Sequence, residues 1–353
     1  MVWVRPARIL LVLAAAAVAV AVPVIDSAAK PKKPPAPVVY IPPPPPPMSP
    51  VGLSSRLLAD AAAYHAYIQR VTTISPQFTS GVSVAQALRT GAAYQPAALL
   101  RGAIAYAAIA ALQDPTFVAQ VRAPGADADA RRLMVNRIIA DPAYVFAFRG
   151  SEVAAGLAKD ALGGAGLRLY AAGKAVKQSA YDVQRQAWSK ESIVDRPGRL
   201  AAVKALGESG LALAADEAIA LERAAAGLAP AGFSSPQPAR PPYTPLIAHA
   251  VQLAAIAALG EANDDAYNRL TYLTDEVNTK LCLQTAKLAL NECLAVAGPH
   301  YEDIFCLGQH VMLDTGACLA RYAGVGVPLE VTPAPLKIPA PGAAARRPVR
   351  RRR

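Results

Sequence analysis

The chain has 353 residues, 54% of them hydrophobic and 17% charged, with a formal net charge of +11. That charge sits at the two ends: residues 1–48 carry +4 and residues 326–353 carry +6, which leaves 24 basic against 23 acidic residues between them. A body so nearly neutral does not indicate a basic face for nucleic acid, and no nucleic-acid partner is expected.

The chain opens with Arg5 and Arg8, an apolar run from Ile9 to Val24, and the small residues Ser27, Ala28 and Ala29. This is the layout of a secretory signal peptide over residues 1–29, with cleavage expected after Ala29 and an uncleaved anchor as the alternative. No cysteine lies nearby to carry a lipid. Residues 30–50 form a proline-rich linker with six consecutive prolines, Pro42 to Pro47. Polyproline II rises about 3.1 Å per residue, so the linker could span roughly 60 Å as a semi-rigid tether. In composition it resembles the Pro/Lys stalks of TonB-type envelope proteins. Docking onto an aromatic groove is its other use.

Residues 51–229 are rich in Ala and Leu with repeated helix starts and no clear strand, which predicts a helical domain. A first helix is expected from Leu53 to Arg70, a second after Ser83, and a third from Pro96, because proline is favoured in a first helical turn. Asp114-Pro115 and Asp141-Pro142 read as two more starts, 27 residues apart, and raise the question of a duplicated helical unit. Ser151 to Lys190 reads as one long helix or two short ones. Its glycines, including the pairs Gly156/Gly163 and Gly166/Gly173 at a spacing of seven, point to a close helix contact. A turn at Asp195 to Gly198 and a helix from Arg199 to Leu228 complete this part. Residues 230–245, with six prolines, predict a surface loop, and Pro245 opens the helical region 246–325.

All four cysteines fall between Cys282 and Cys318. The stretch is two apolar-periodic segments split by Ala297-Gly298-Pro299-His300, a helical hairpin. Cys282 and Cys293 lie eleven residues apart, roughly 16 Å along a helix, beyond the reach of a disulfide. An antiparallel hairpin instead brings Cys293 opposite Cys306 and Cys282 opposite Cys318. The difficulty is azimuth, since twelve residues set Cys306 and Cys318 about 120° apart on an ideal helix. A bend at Gly308 or Gly316 is the expected remedy. In spacing order the cysteines resemble the twin CX9C helical hairpins, with gaps of ten and eleven residues here, and that resemblance implies the hairpin geometry alone. The predicted fold class is therefore all-α: a multi-helix bundle or helical array with a C-terminal disulfide-stapled hairpin, flanked by disordered tails.

Residues that could carry chemistry are few. His300, Glu302, Asp303 and His310 are the one cluster able to recruit a metal or supply acid and base, but their spacing fits a solvated turn with acids in a first helical turn better. Tyr301, Phe305 and Tyr322 read as core or rim. No catalytic, cofactor or metal site is predicted. The tail 326–353 ends in Arg346, Arg347, Arg350, Arg351, Arg352 and Arg353, a basic arm expected to be drawn to anionic lipid, lipopolysaccharide or another envelope polyanion.

The wording AGPHYEDIFCLGQHVM, and the layout of the whole chain, is similar to exported helical proteins of alphaproteobacteria without assigned activity, which implies a location rather than a mechanism. The expected function is a non-enzymatic binding or scaffolding module of the cell envelope, periplasmic or secreted. The alternatives are a secreted hydrolase with its site near His300 to His310 and a carrier of apolar ligands.

Overall fold

The computed structural model describes residues 48–229, 232–233 and 237–328. The expected signal segment, nearly all of the linker and the terminal arginines lie outside the described residues. Within them the chain is all-α, with bridge pairing confined to Leu53 with Ala262 and Ser192 with Pro299.

Local capping fixes where helices begin. Helix α1 (Ser55–Thr72) starts where the Ser54 hydroxyl accepts the Leu57 N–H, two residues later than apolar periodicity alone suggests. Helix α2 (Gly81–Ala92) starts before Ser83, because Ser80 and Ser83 cap each other's free amides. Helix α3 (Pro96–Ala111) carries its proline in the first turn and is buried along almost its whole length, since α1, α6 (Ser151–Asp182) and α9 (Pro245–Ala258) pack around it. Helices α4 (Pro115–Arg122) and α5 (Ala128–Ala140) are capped by Asp114 and Asp127.

The two Asp-Pro segments are not equivalent. Asp114 accepts the Phe117 N–H at 2.5 Å and launches an α-helix, whereas Asp141 accepts from Ala143 and the chain makes only one 3-10 turn, Tyr144–Ala147. The chain then turns through Gly150 at φ +86°, where a Cβ would sit 2.5 Å from both the Asp114 carboxylate and the Phe117 amide. Asp141-Pro142 ends one helix and positions the next, so no helical unit is duplicated there.

Helix α6 is a single 32-residue rod, about 48 Å long at 1.5 Å per residue. The region expected as one helix from Arg199 to Leu228 is two, α7 (Arg196–Glu208) and α8 (Ala215–Ala225). The break contains Gly210, at φ +78°, and Asp195 is the cap of α7 rather than part of a free turn. Of the proline-rich loop, Phe233 sets its ring against Tyr106, and Tyr243 stacks on Phe146 with centroids 4.0 Å apart. Between α9 and α11 (Val277–Val296) the helical region is interrupted by 3-10 turns and the one-turn α10 (Tyr267–Leu270). Among the described residues no single helix is long and apolar enough to cross a membrane.

Candidate functional site

The C-terminal arm consists of α12 (His300–Cys306), a π-helical segment (Leu307–Asp314) and α13 (Thr315–Tyr322), running without a break and antiparallel to α11. Cys282 joins Cys318 and Cys293 joins Cys306, with Cα separations of 5.8 and 5.7 Å. The azimuth problem is solved by the π segment rather than by a glycine bend. A π-helix closes its hydrogen-bonded ring one residue later than an α-helix, so each residue turns less. A shortfall of about 15° per residue over eight residues removes the roughly 120° that separates the two cysteines on an ideal α-helix.

Gly308 and Gly316 serve another purpose. They face α6 across a seam where the backbones touch: a Cβ on Gly308 would meet the Lys177 amide at 2.5 Å, and one on Gly316 the Tyr170 amide at 2.6 Å. From the other side, a Cβ on Gly166 would meet the Ala320 amide at 2.5 Å, and one on Gly173 the Leu313 amide at 2.7 Å. Gly163 faces Val325, while Gly156 leaves the seam and faces the backbone of Gln237.

The π register also aligns polar side chains. Gln309 and Asp314, and likewise His310 and Thr315, are five residues apart, the interval that a π turn brings onto one face. Lys177 donates to the Gln309 side-chain oxygen at 2.7 Å, Gln309 donates to Asp314 at 2.8 Å, and the other Asp314 oxygen lies 2.8 Å from His310 Nδ1. The Thr315 hydroxyl lies 3.2 Å from the Tyr94 hydroxyl, whose pKa burial pushes up to about 12. Over the same Tyr94 ring, 4.5 Å from its centroid, sits the Lys287 ammonium. It donates to the terminal carbonyl of α2, Ala92, and burial draws its pKa down to about 8. Placing a cation on a helix C-terminus stabilises the free carbonyls there.

The predicted cluster at His300 to His310 does not come together as one site. Glu302 accepts from the Gly298 amide at 2.7 Å and closes the turn into α12, His300 lies against Gly81, and His310 belongs to the π-segment chain. Asp303 departs furthest from expectation: it is buried, not solvated, and pairs with Arg199 of α7 at 2.5 Å. Arg199 also donates to the Leu294 and Ala297 carbonyls, and Arg196 to those of Ala295 and Val296, so α7 caps the end of α11. Burial raises the Asp303 pKa to about 6, against the opposing pull of Arg199. Among the described residues no group of three or more His, Cys, Asp or Glu side chains could hold a metal ion.

The stapled hairpin presents two concave surfaces. One is a groove of about 390 Å³ between α11 and α13, lined by Asn278, Leu281, Thr285, Asp314, Arg321 and Tyr322. Beside it the outer face of α11 leaves Val277, Leu281 and Leu288 exposed at 66, 61 and 57%. These lie within about 40° of one another around the helix. The second, of about 340 Å³, opens beside the Cys293–Cys306 bridge between Tyr181, Tyr301 and Phe305, with Glu302 and Gln184 at its edge. Sequence reading placed Tyr301, Phe305 and Tyr322 correctly against the core but missed Tyr181, which stands edge-on to Phe305 from the far end of α6. Arg199 was also missed. Lys287 carried a usable signal, since it falls on the same helix face as Leu283 and Leu290 and so points inward. Comparison of the chain with protein families, with curated proteins and with solved structures finds no match in any of the three.

Proposed function

We propose that this protein is a non-enzymatic binding or scaffolding module of the cell envelope, and that its docking face is the outer side of α11 with the adjoining α11/α13 groove. The observation that carries this reading is the exposed row Val277, Leu281 and Leu288 on a helix held by two disulfides. An apolar row on a rigid helix is suited to an amphipathic helix or apolar segment of a polypeptide partner. The staples reduce the ordering cost of association, because the face is fixed before the partner arrives. Disulfides persist in oxidising compartments, which supports the envelope as location. In this reading the six terminal arginines add weak attraction to anionic lipid or lipopolysaccharide, about 1 kcal/mol each before the ordering of the tail is subtracted.

The test is photo-crosslinking in intact envelopes, with p-benzoylphenylalanine introduced at Leu288 of the full chain. A discrete adduct at Leu288, reduced by Leu281→Glu and absent when the probe is placed at exposed Val82 on α2, is the expected outcome. Equal labelling from both positions would remove α11 from the proposal. For the tail, cosedimentation with anionic vesicles should weaken on truncation after Ala345 and fade at 1 M salt, where screening shortens to about 3 Å.

A further inference from the structure

The apolar row on α11 is flanked by two exposed charges of opposite sign, one toward each end. Glu292 stands on α11 itself, about 40° around the axis from Leu288 and turned toward the groove that Ala289 and Cys282 line. Arg321 comes from α13 and borders the same groove at its Asn278 and Leu281 end. Neither has an ion-pair partner among the described residues.

Within one molecule the two charges are too far apart to serve each other. Cys282 and Cys318 sit side by side where α11 and α13 run antiparallel, so Arg321, three residues past Cys318, is level with about residue 279. Glu292 lies thirteen residues further along α11, about 20 Å away. A second copy turned by a two-fold axis removes that distance, because an isologous contact places each charge of one copy against the opposite charge of the other.

The axis that does so crosses α11 between Thr285 and Ala286 and sets two copies of the helix antiparallel. A two-fold perpendicular to both helices also makes each flank face the same flank of its mate, and Glu292 and Arg321 share the groove flank. Charge alone fixes this register, yet the apolar row fits it. Leu288 comes level with the gap between the second copy's Leu281 and Gln284, and Val277 comes level with the second copy's Ala295. The other charges near the face are engaged at home: Asp314 by Gln309 and His310, and Lys280, on the far flank, by Asp275.

We propose that the partner at the α11 face is a second copy of this chain, in an antiparallel two-fold dimer where Leu288 interlocks with Leu281 and Glu292 pairs with Arg321. This inference rests on the reading of α11 as the docking face and names what docks there. One helix face with a groove edge is small beside the roughly 800 Å² per partner of a standard interface, so the dimer is weak and concentration-dependent.

The experiment follows the purified full chain by sedimentation velocity. In parallel, a mixture of light and isotopically heavy chains carrying p-benzoylphenylalanine at Leu288 is irradiated and mapped by mass spectrometry. The expected result is a reversible dimer, with mixed light-heavy adducts in the segment from Leu281 to Thr285. Glu292→Arg or Arg321→Glu alone breaks both symmetry-related pairs and opposes like charges, and should weaken dimerisation about ten-fold. The two substitutions together restore opposite charges and should return the affinity to within about two-fold, a rescue that damage to the fold does not produce. A dimer indifferent to the single substitutions, or one without rescue, overturns the two-fold arrangement. A monomer at every concentration, combined with a discrete Leu288 adduct to another protein in intact envelopes, overturns the second copy but leaves the docking face standing. No adduct in either setting removes both.

Discussion

Helices α3 and α6 each gather neighbours at close range, and they do so by opposite means. Helix α3 is lined by Leu99, Leu100, Ile104, Ile109 and six fully buried alanines, so every partner that approaches it removes apolar surface from water. Helix α6 meets the C-terminal arm through Gly166, Gly173, Gly308 and Gly316, which bring backbones into contact but have no side chain to bury. Apolar burial stabilises by about 25 cal/mol per Å², while glycine inside a helix costs about 1 kcal/mol against alanine. The glycines themselves therefore gain little from burial; the apolar burial of the arm comes from Leu307, Met312, Leu313 and Leu319, and both disulfides tie that arm to α11. At the arm a covalent restriction of the unfolded chain is added to side-chain burial, whereas α3 relies on burial alone.

The contrast between α3 and α6 in how they hold their neighbours should show most strongly at the cysteines. Removing the outer bridge with Cys282→Ala and Cys318→Ala opens a loop of 36 residues. The expected loss is about 4 kcal/mol, against about 3 kcal/mol for the inner pair with its 13-residue loop. Denaturant unfolding of the two double variants gives both values. A loss below about 1 kcal/mol for each would mean that the α3 core alone holds the arm in place.

A titration probes how α7 is held to the arm. Asp303 has a folded pKa raised from 3.8 to about 6, so the folded protein binds this proton more tightly than the unfolded chain does. The resulting stability is fully present below about pH 4 and is lost as pH rises through about 6. The amount is at most about 3 kcal/mol. Stability measured from pH 4 to 7 should fall by that contribution in the wild type. Asp303→Asn, which keeps an acceptor for Arg199, should flatten it. An identical slope in both proteins would assign the pH dependence to other groups.

The smallest effects sharpen the glycine side. Gly173→Ala puts a Cβ 2.7 Å from the Leu313 amide and should cost about 1–3 kcal/mol despite the better helix former. Gly164→Ala, on the same helix but off the seam, meets only the end of the Arg168 side chain at 3.3 Å and should stabilise by up to about 1 kcal/mol. Equal signs at the two positions would show that helix propensity, not backbone contact, governs α6.

Much of this architecture is written locally. Pro96, Pro115 and Pro245 stand in first turns, Asp114 caps α4, and the cysteine spacing leads to the nested pairing, because caps, proline and loop reach act within a few residues. The arm's candidate surfaces were less legible. Tyr181 is 120 and 124 residues from Tyr301 and Phe305 in sequence, and nothing at Tyr181 signals that α6 ends against them. Arg199 finds Asp303 across 104 residues for the same reason.

By itself, then, the sequence determined the helical class, most helix starts, the turn before His300 and the cysteine geometry, since each follows from short-range sterics and hydrogen bonding. Only the tertiary structure decided that Asp141-Pro142 would not repeat Asp114-Pro115, that Asp303 would be buried, and that Leu307–Asp314 would under-wind into a π segment. That last choice depends on two demands felt together, the azimuth of Cys318 toward α11 and the backbone contact of Gly308 and Gly316 with α6. Neither demand exists until three separate helices are packed, so no window of local sequence contains it.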